Sequence, residues 1–405
     1  QRLAGRAALG REAPLPATAT ATSQHRPSAS LDGPPCDDED PGCKVSGKRL
    51  QQFLQAEVTH FAAMKRSKLT LEDLLRAATS PHRCAMKVHE EIPKHFAARL
   101  RQIESLDGWR EDPDLSAMWD IYFQSFEEIR MADVEEDLEP FTAVVRKLKE
   151  RQRKALPLLG KAVHRRSRMQ TAFSASTNEW MERFLTSRIG TEMLTSQYIA
   201  IINQVSQGKD QLTGIVDPHV SPEQVCKAAA EAAKQLCLSH MGMAPDIEID
   251  VRVKRSRAGE ISFSYIPIYL RYILLEVLKN SCQATVRTLF TSLCAEEEPR
   301  PVKIVICSDD NRVAIRISDR AGGIPFDVGE QVWDFGFTGT SANNAADPSA
   351  ATALGGFGIG LPLARLYANY LGGSLSLVSL PEYGVDTYLF LPRIDTTHWL
   401  KQPSE

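Results

Sequence analysis

"LLEVLKNSCQAT", residues 274–285, decides how this chain is read. Leu274, Leu275, Val277 and Leu278 give it the texture of a core helix, yet Glu276, Lys279 and Asn280 fall within little more than one turn. Ionised side chains are rarely buried without a partner. The segment is therefore either the exposed stripe of an amphipathic helix or the polar wall of a ligand site. Glu276 and Asn280 stand four residues apart, so both project from one helix face.

Three further elements follow in order. "ISDRAGGIP" (317–325) ends a strand-like run at Asp319 and enters a glycine-rich turn. "WDFGFTGT" (333–340) leads into "GTSANNAADPSAATALGG" (339–356), which has almost no large apolar residue and is expected to be a mobile loop. "GGFGIGLPLARLYANYLGG" (355–373) then enters a helix behind its glycines. Glycines before a helix start expose backbone N–H groups and the positive end of the helix dipole, which suits phosphate. Asn280 offers Mg²⁺ a neutral oxygen. Ionised Asp319 can accept from the amino group of adenine. Each piece alone is commonplace, whereas the ordered set is specific. The GK[ST] ending of a Walker loop is absent.

The rest of the chain bounds this reading. Its 405 residues are 43% hydrophobic and 24% charged, an ordinary globular composition with room for two domains. A net charge of -3 gives no reason to invoke nucleic acid, and no apolar run is long enough for an integral membrane span. The 8 cysteines are scattered without a CxxC pair, which argues reduced core thiols. The opening thirty residues are rich in Arg, Ala, Ser and Thr and nearly lack acids, as an organelle transit peptide is; "CDDEDPGC" (36–43) follows as an acidic linker.

Residues 49–210 read as helices forming a bundle of four-helix type. "IPKHFAARLRQIESL" sets Phe96, Leu100 and Ile103 on one face, and "SAMWDIYFQSFEEI" does the same with Met118, Tyr122, Phe126 and Ile129. Pro157 is expected to kink the helix over 141–163. Residues 211–397 mix helices with strands. Ser221 opens a capped helix; "DIEIDVRV", "ISFSYIP", "VKIVICSDD", "RVAIRISD" and "TYLFLP" alternate as strands, two of them joined by "SDDN". The fold class is α+β: the bundle, then an α/β sandwich whose mixed sheet is covered on one face by helices. Residues 1–48 form a transit or disordered segment, and 398–405 a short tail.

The ordered motifs resemble the GHKL nucleotide-binding fold of gyrase, heat-shock chaperones, mismatch-repair ATPases and histidine kinases. "SRIGTEMLTSQ" (187–197), "YIPIYLRYILLEVLKN" (265–280), "ISDRAGGI" (317–324) and "GFGIGLPLARLYANYLGGSLSLVSL" (356–380) are further similar to the mitochondrial 2-oxoacid dehydrogenase kinases. "EIPKHFAARL" and "DPDLSAMWDIYFQSFEEI" extend the likeness upstream, so that it spans residues 69–395. It implies a matrix serine kinase, in which Glu276 is the general base, Asn280 the Mg²⁺ ligand and Asp319 the adenine contact. Lys279 would lie near phosphate, with Gly356, Gly358 and Gly360 lining the triphosphate and hinging a lid. Further ATP contacts are implied for Gln283, Gly323, Thr338, Phe357, Leu361 and Thr387. Val332, Asp334 and Phe337 resemble a K⁺ site built from backbone oxygens. The implied substrate is the decarboxylase subunit of a 2-oxoacid dehydrogenase complex, with docking to the lipoyl domain of its acyltransferase core and a homodimeric enzyme.

Departures from the family pattern bear on the alternatives. Ala321 replaces a glycine beside the nucleotide, Val385 a threonine, and Gln283 a usual arginine. A degenerate ATP-binding adaptor is therefore a second reading. Gln152 occupies the place of a family histidine, and His164 reads as a solvated helix residue, which disfavours a phosphohistidine relay. Tyr272, four residues before Glu276, and "YLGGSL" (370–375) favour the branched-chain complex over the pyruvate complex as target, as does the ending "HWLKQPSE" without a long C-terminal arm.

Overall fold

A computed structural model describes residues 47–169, 175–253, 261–291, 298–337 and 356–393. The expected transit segment up to residue 46, the loop over 339–355, Thr338 and the tail from 398 lie outside the described residues.

Among the described residues seven helices come first: α1 (Gly47–Ala63), α2 (Leu71–Ala77), α3 (Pro81–Glu104), α4 (Pro113–Arg130), α5 (Glu139–Gln152), α6 (Ala155–Met169) and α7 (Ala175–Ser206). Local chemistry starts them. Thr70 and Asp73 form a capping box on α2, and the Asp112 carboxylate accepts from the N–H groups of Asp114 and Leu115 at the start of α4. The apolar stripes meet as the periodicity requires. Phe96 packs on Tyr122 and Tyr122 on Phe184, with ring centroids 5.9 and 5.8 Å apart, and all three are buried. Pro157 does not kink a continuous helix. The chain breaks upstream at Arg153 and Lys154, and Pro157 falls in the first turn of α6, where its missing N–H leaves no bond unmade.

The α/β part has a five-stranded sheet in the order β2-β4-β5-β7-β6. It comprises β2 (Ile247–Val253), β4 (Val302–Ser308), β5 (Arg312–Ser318), β7 (Gly384–Pro392) and β6 (Ser374–Leu380). β2 and β4 run parallel and the other neighbours antiparallel. At the β4–β5 hairpin, Asp309 accepts from the N–H groups of Asn311 and Arg312, which is why "SDDN" turns there. Ile304, Ile306, Val313, Ile315 and Leu389 are buried under helices α8 (Pro222–Met241), α9 (Pro267–Thr291) and α10 (Gly360–Tyr370). The fold is thus α+β with a mixed sheet covered on one face.

Two details differ from the sequence reading. Phe263–Tyr265, strand β3, stays out of the main sheet and pairs antiparallel with β1 (Asp217–Val220). β6 supplies the sheet's far edge from a stretch read only as the tail of a glycine motif, although its Leu and Ser residues alternate.

Candidate active site

Helix α9 is the spine of the site. Its apolar face, with Leu270, Ile273, Leu274, Val277 and Leu278, is buried against the sheet and α8. That anchoring fixes the opposite rungs, Glu276, Asn280 and Gln283, along one wall of a cavity of about 470 Å³. This volume lies within the range usual for small-ligand sites. Asp319, Gly323 and Thr387 form its floor, and Gly358, Gly360 and Leu361 close it from the start of α10. Eleven of the residues expected from sequence therefore meet in one place, counting Val332 and Phe337 at the edge.

Glu276 is held on two sides. Its Oε1 accepts from Lys279 Nζ at 2.8 Å. A side chain on Gly360 would collide with Oε2, so glycine there lets the carboxylate stand against the start of α10. The start of α10 carries no side-chain cap, and its positive dipole end lies beside that carboxylate. Lys279 itself lies behind Glu276 rather than in the wall.

Asp319 is 3% exposed, at the end of β5. Its Oδ2 accepts from Ser281 Oγ at 2.9 Å, and its Oδ1 from the N–H groups of Ala321 and Val385 at 3.2 Å each. Burial pushes its carboxyl above the usual range, while the Ser281 hydroxyl and the two N–H groups pull the other way. The result is a rigid acceptor at the base of a cavity, and Gly384 lets the neighbouring strand lie against the Asp319 carbonyl. Ser281 and Thr288, whose hydroxyl donates to the Ala321 carbonyl at 2.9 Å, are site residues that the sequence reading misses. Their only signal is a polar residue on an otherwise buried helix face.

The remaining expected residues sit at the margins. Phe357 turns away from the cavity and lays its ring over Gly160 of α6, 5.9 Å from the His164 ring. His164 is half-buried, with one side of its ring toward Phe357. Gly356 opens the same 3₁₀ turn, Gly356–Gly358. Asp334 accepts from the Asn178 side chain of α7 at 2.7 Å, and Asn178 Oδ1 accepts from Phe335 N–H at 3.0 Å, which ties the Val332–Phe337 loop to the bundle.

Among the described residues, no group of three or more His, Cys, Asp or Glu side chains could hold a metal ion. An all-protein cage is thus not present there. A lone neutral amide oxygen, Asn280, fits an ion that keeps its waters and takes its other ligands from phosphate, as Mg²⁺ does. No described helix is long and apolar enough to cross a membrane.

Two family models match the chain. Residues 68–217 match one described as mitochondrial branched-chain alpha-ketoacid dehydrogenase kinase, and residues 266–395 match the histidine kinase-, DNA gyrase B- and HSP90-like ATPase. Similar proteins include the mitochondrial pyruvate dehydrogenase (acetyl-transferring) kinase of Arabidopsis thaliana, 27% identical over 370 residues, covering 87% of this chain and 97% of that protein. The human mitochondrial isozyme 4 of that kinase is 26% identical over 364 residues, 86% of each chain. The mitochondrial enzyme of Schizosaccharomyces pombe is 34% identical over 221 residues, 53% of this chain and 50% of that one.

Proposed function

Since the chain belongs to the mitochondrial 2-oxoacid dehydrogenase kinase family, within the GHKL ATPases, we propose that it transfers the γ-phosphoryl of ATP to a serine of the decarboxylase subunit of such a complex and inactivates it. The observation that carries this reading is one cavity with Glu276 and Asn280 on its wall and the buried acceptor Asp319 on its floor. Adenine sits with its amino group on Asp319, and the phosphates run toward the glycines that open α10. Asn280 would hold a Mg²⁺ ion here, which would supply neutralisation of the charge that builds up during transfer.

Glu276 takes the proton of the substrate serine as its oxygen bonds to the γ-phosphorus and the bond to the β-phosphate oxygen breaks, leaving ADP. Lys279 holds the carboxylate in orientation until substrate arrives. K⁺ on the carbonyls of the Val332–Phe337 loop would brace the cavity edge against α7. The compartment is the mitochondrial matrix, and the partners are the complex, its lipoyl domain and a second copy of the chain.

The named relatives are pyruvate dehydrogenase kinases, which tips the choice of target slightly toward the pyruvate complex. Tyr272 and residues 370–375 favour the branched-chain complex instead. The test is incubation with Mg·ATP and each purified complex, reading which subunit gains phosphoserine. Labelling of either decarboxylase subunit, with loss of its activity, supports the reading. ATP binding without transfer to either complex would leave the adaptor alternative.

A further inference from the structure

The cavity wall carries a cation that the mechanism does not yet use. Successive turns of α9 present Glu276, Asn280, Gln283 and then Arg287 to the same space. Arg287 is the one cation among the described residues that line it, against the two carboxylates of Glu276 and Asp319. Its side chain is exposed, and no described residue forms an ion pair with it. Gln283, the rung before it, is buried and neutral. A nucleotide polyanion entering between two carboxylates therefore meets a single exposed guanidinium with no ion-pair partner among the described residues.

Position along the helix selects which part of the nucleotide it meets. Arg287 lies about 10 Å along α9 from Asn280, away from Glu276. Ser281, which holds Asp319, lies between them, and Thr288, beside Arg287, bonds the carbonyl of Ala321 in the turn after Asp319. Arg287 is thus at the adenine end of the wall, far from where the γ-phosphate meets Glu276. We propose that Arg287 binds the ribose–α-phosphate end of the nucleotide and supplies the cationic clamp of this site. The inference rests on the ATP reading above and assigns one residue within it.

The test is calorimetric titration, by competition where binding is weak, of wild type, Arg287→Gln, Arg287→Lys and Asp319→Ala with ATP, ADP, AMP and adenosine. Arg287→Gln should weaken ATP, ADP and AMP each about five- to ten-fold and leave adenosine within two-fold, because an exposed charge-assisted contact is partly screened. Arg287→Lys should recover part of the loss. Unchanged ATP and AMP affinity in Arg287→Gln would overturn the assignment, as would a loss confined to ATP or an equal loss of adenosine. Those outcomes leave the ATP reading standing as long as wild type binds ATP and Asp319→Ala weakens it. Failure of wild type to bind ATP removes both.

Discussion

Phe357 sits on Gly160: a Cβ added to that glycine would lie 2.5 Å from Phe357 Cδ2. The contact joins the turn that carries Gly358 and Gly360 to a helix of the bundle. Phe357 holds a φ of 21°, in the region that bulky residues avoid, so packing must stabilise it there. Next to it, Gly358 lies so close to the Phe337 carbonyl that a side chain would not fit. The glycine turn is thus fixed from both sides.

Gly160→Val should evict the Phe357 ring and release this turn. ADP affinity should fall several-fold, with circular dichroism of the bundle nearly unchanged because valine is tolerated in a helix at least as well as glycine. Phe357→Ala should produce a similar loss, and the double variant little more than either alone, since both remove one contact. Additive losses would show that the two residues act separately.

Glu276→Gln keeps the shape of the side chain and removes its basicity. Turnover should drop by roughly 10²-fold or more while ATP affinity stays within a few-fold, the scale expected for loss of a general base. A single-turnover assay with saturating ATP separates the two effects. Near-normal transfer would place the base elsewhere.

Acid stability should report on His95. It is buried in the bundle, with Nδ1 2.9 Å from Ser187 Oγ and the Arg99 guanidinium close by. Burial first, and then the charges of Arg99, Arg66 and Lys94, push it down to about 3 from an ordinary 6.5. The unfolded chain gains a proton below pH 6.5 that the folded chain refuses until about pH 3. This contribution to stability is therefore complete above 6.5 and declines as pH falls through that window, at up to about 1.4 kcal/mol per pH unit. Urea unfolding of wild type between pH 7.5 and 5 should show the slope, and His95→Asn should flatten it. Parallel slopes in the two proteins would contradict the burial of a neutral imidazole.

The legible parts of this protein are those written in local pattern. The stripes through Phe96 and Tyr122 locate the bundle, because a 3.6-residue period needs no tertiary knowledge. Glu276, Asn280 and Asp319 are legible as a set because helix spacing and a glycine turn restrict where they can point. Pairing partners were not legible. Nothing local tells "ISFSYIP" to leave the main sheet for Asp217–Val220, since strand pairing is decided by distant chain. Ser281 and Arg287 were missed for a related reason. Each is an unremarked residue on α9, and its role exists only once Asp319 and the cavity are brought opposite. Phe357 reads as part of a phosphate loop, but its ring is claimed by Gly160, nearly two hundred residues upstream.

Nucleotide selectivity at Asp319 tests the central claim most directly. The carboxylate is fixed by Ser281 and by the N–H groups of Ala321 and Val385, so it accepts hydrogen bonds and offers none. Adenine presents an amino donor at its edge, whereas guanine presents a carbonyl that would repel it. Calorimetry should show wild type binding ATP in clear preference to GTP. Asp319→Ala should lose about 2–3 kcal/mol of ATP affinity, roughly 30- to 150-fold, with the bundle's helicity unchanged. Equal binding of GTP and ATP by wild type, or unchanged ATP affinity in Asp319→Ala, would contradict an adenine nucleotide site in this cavity.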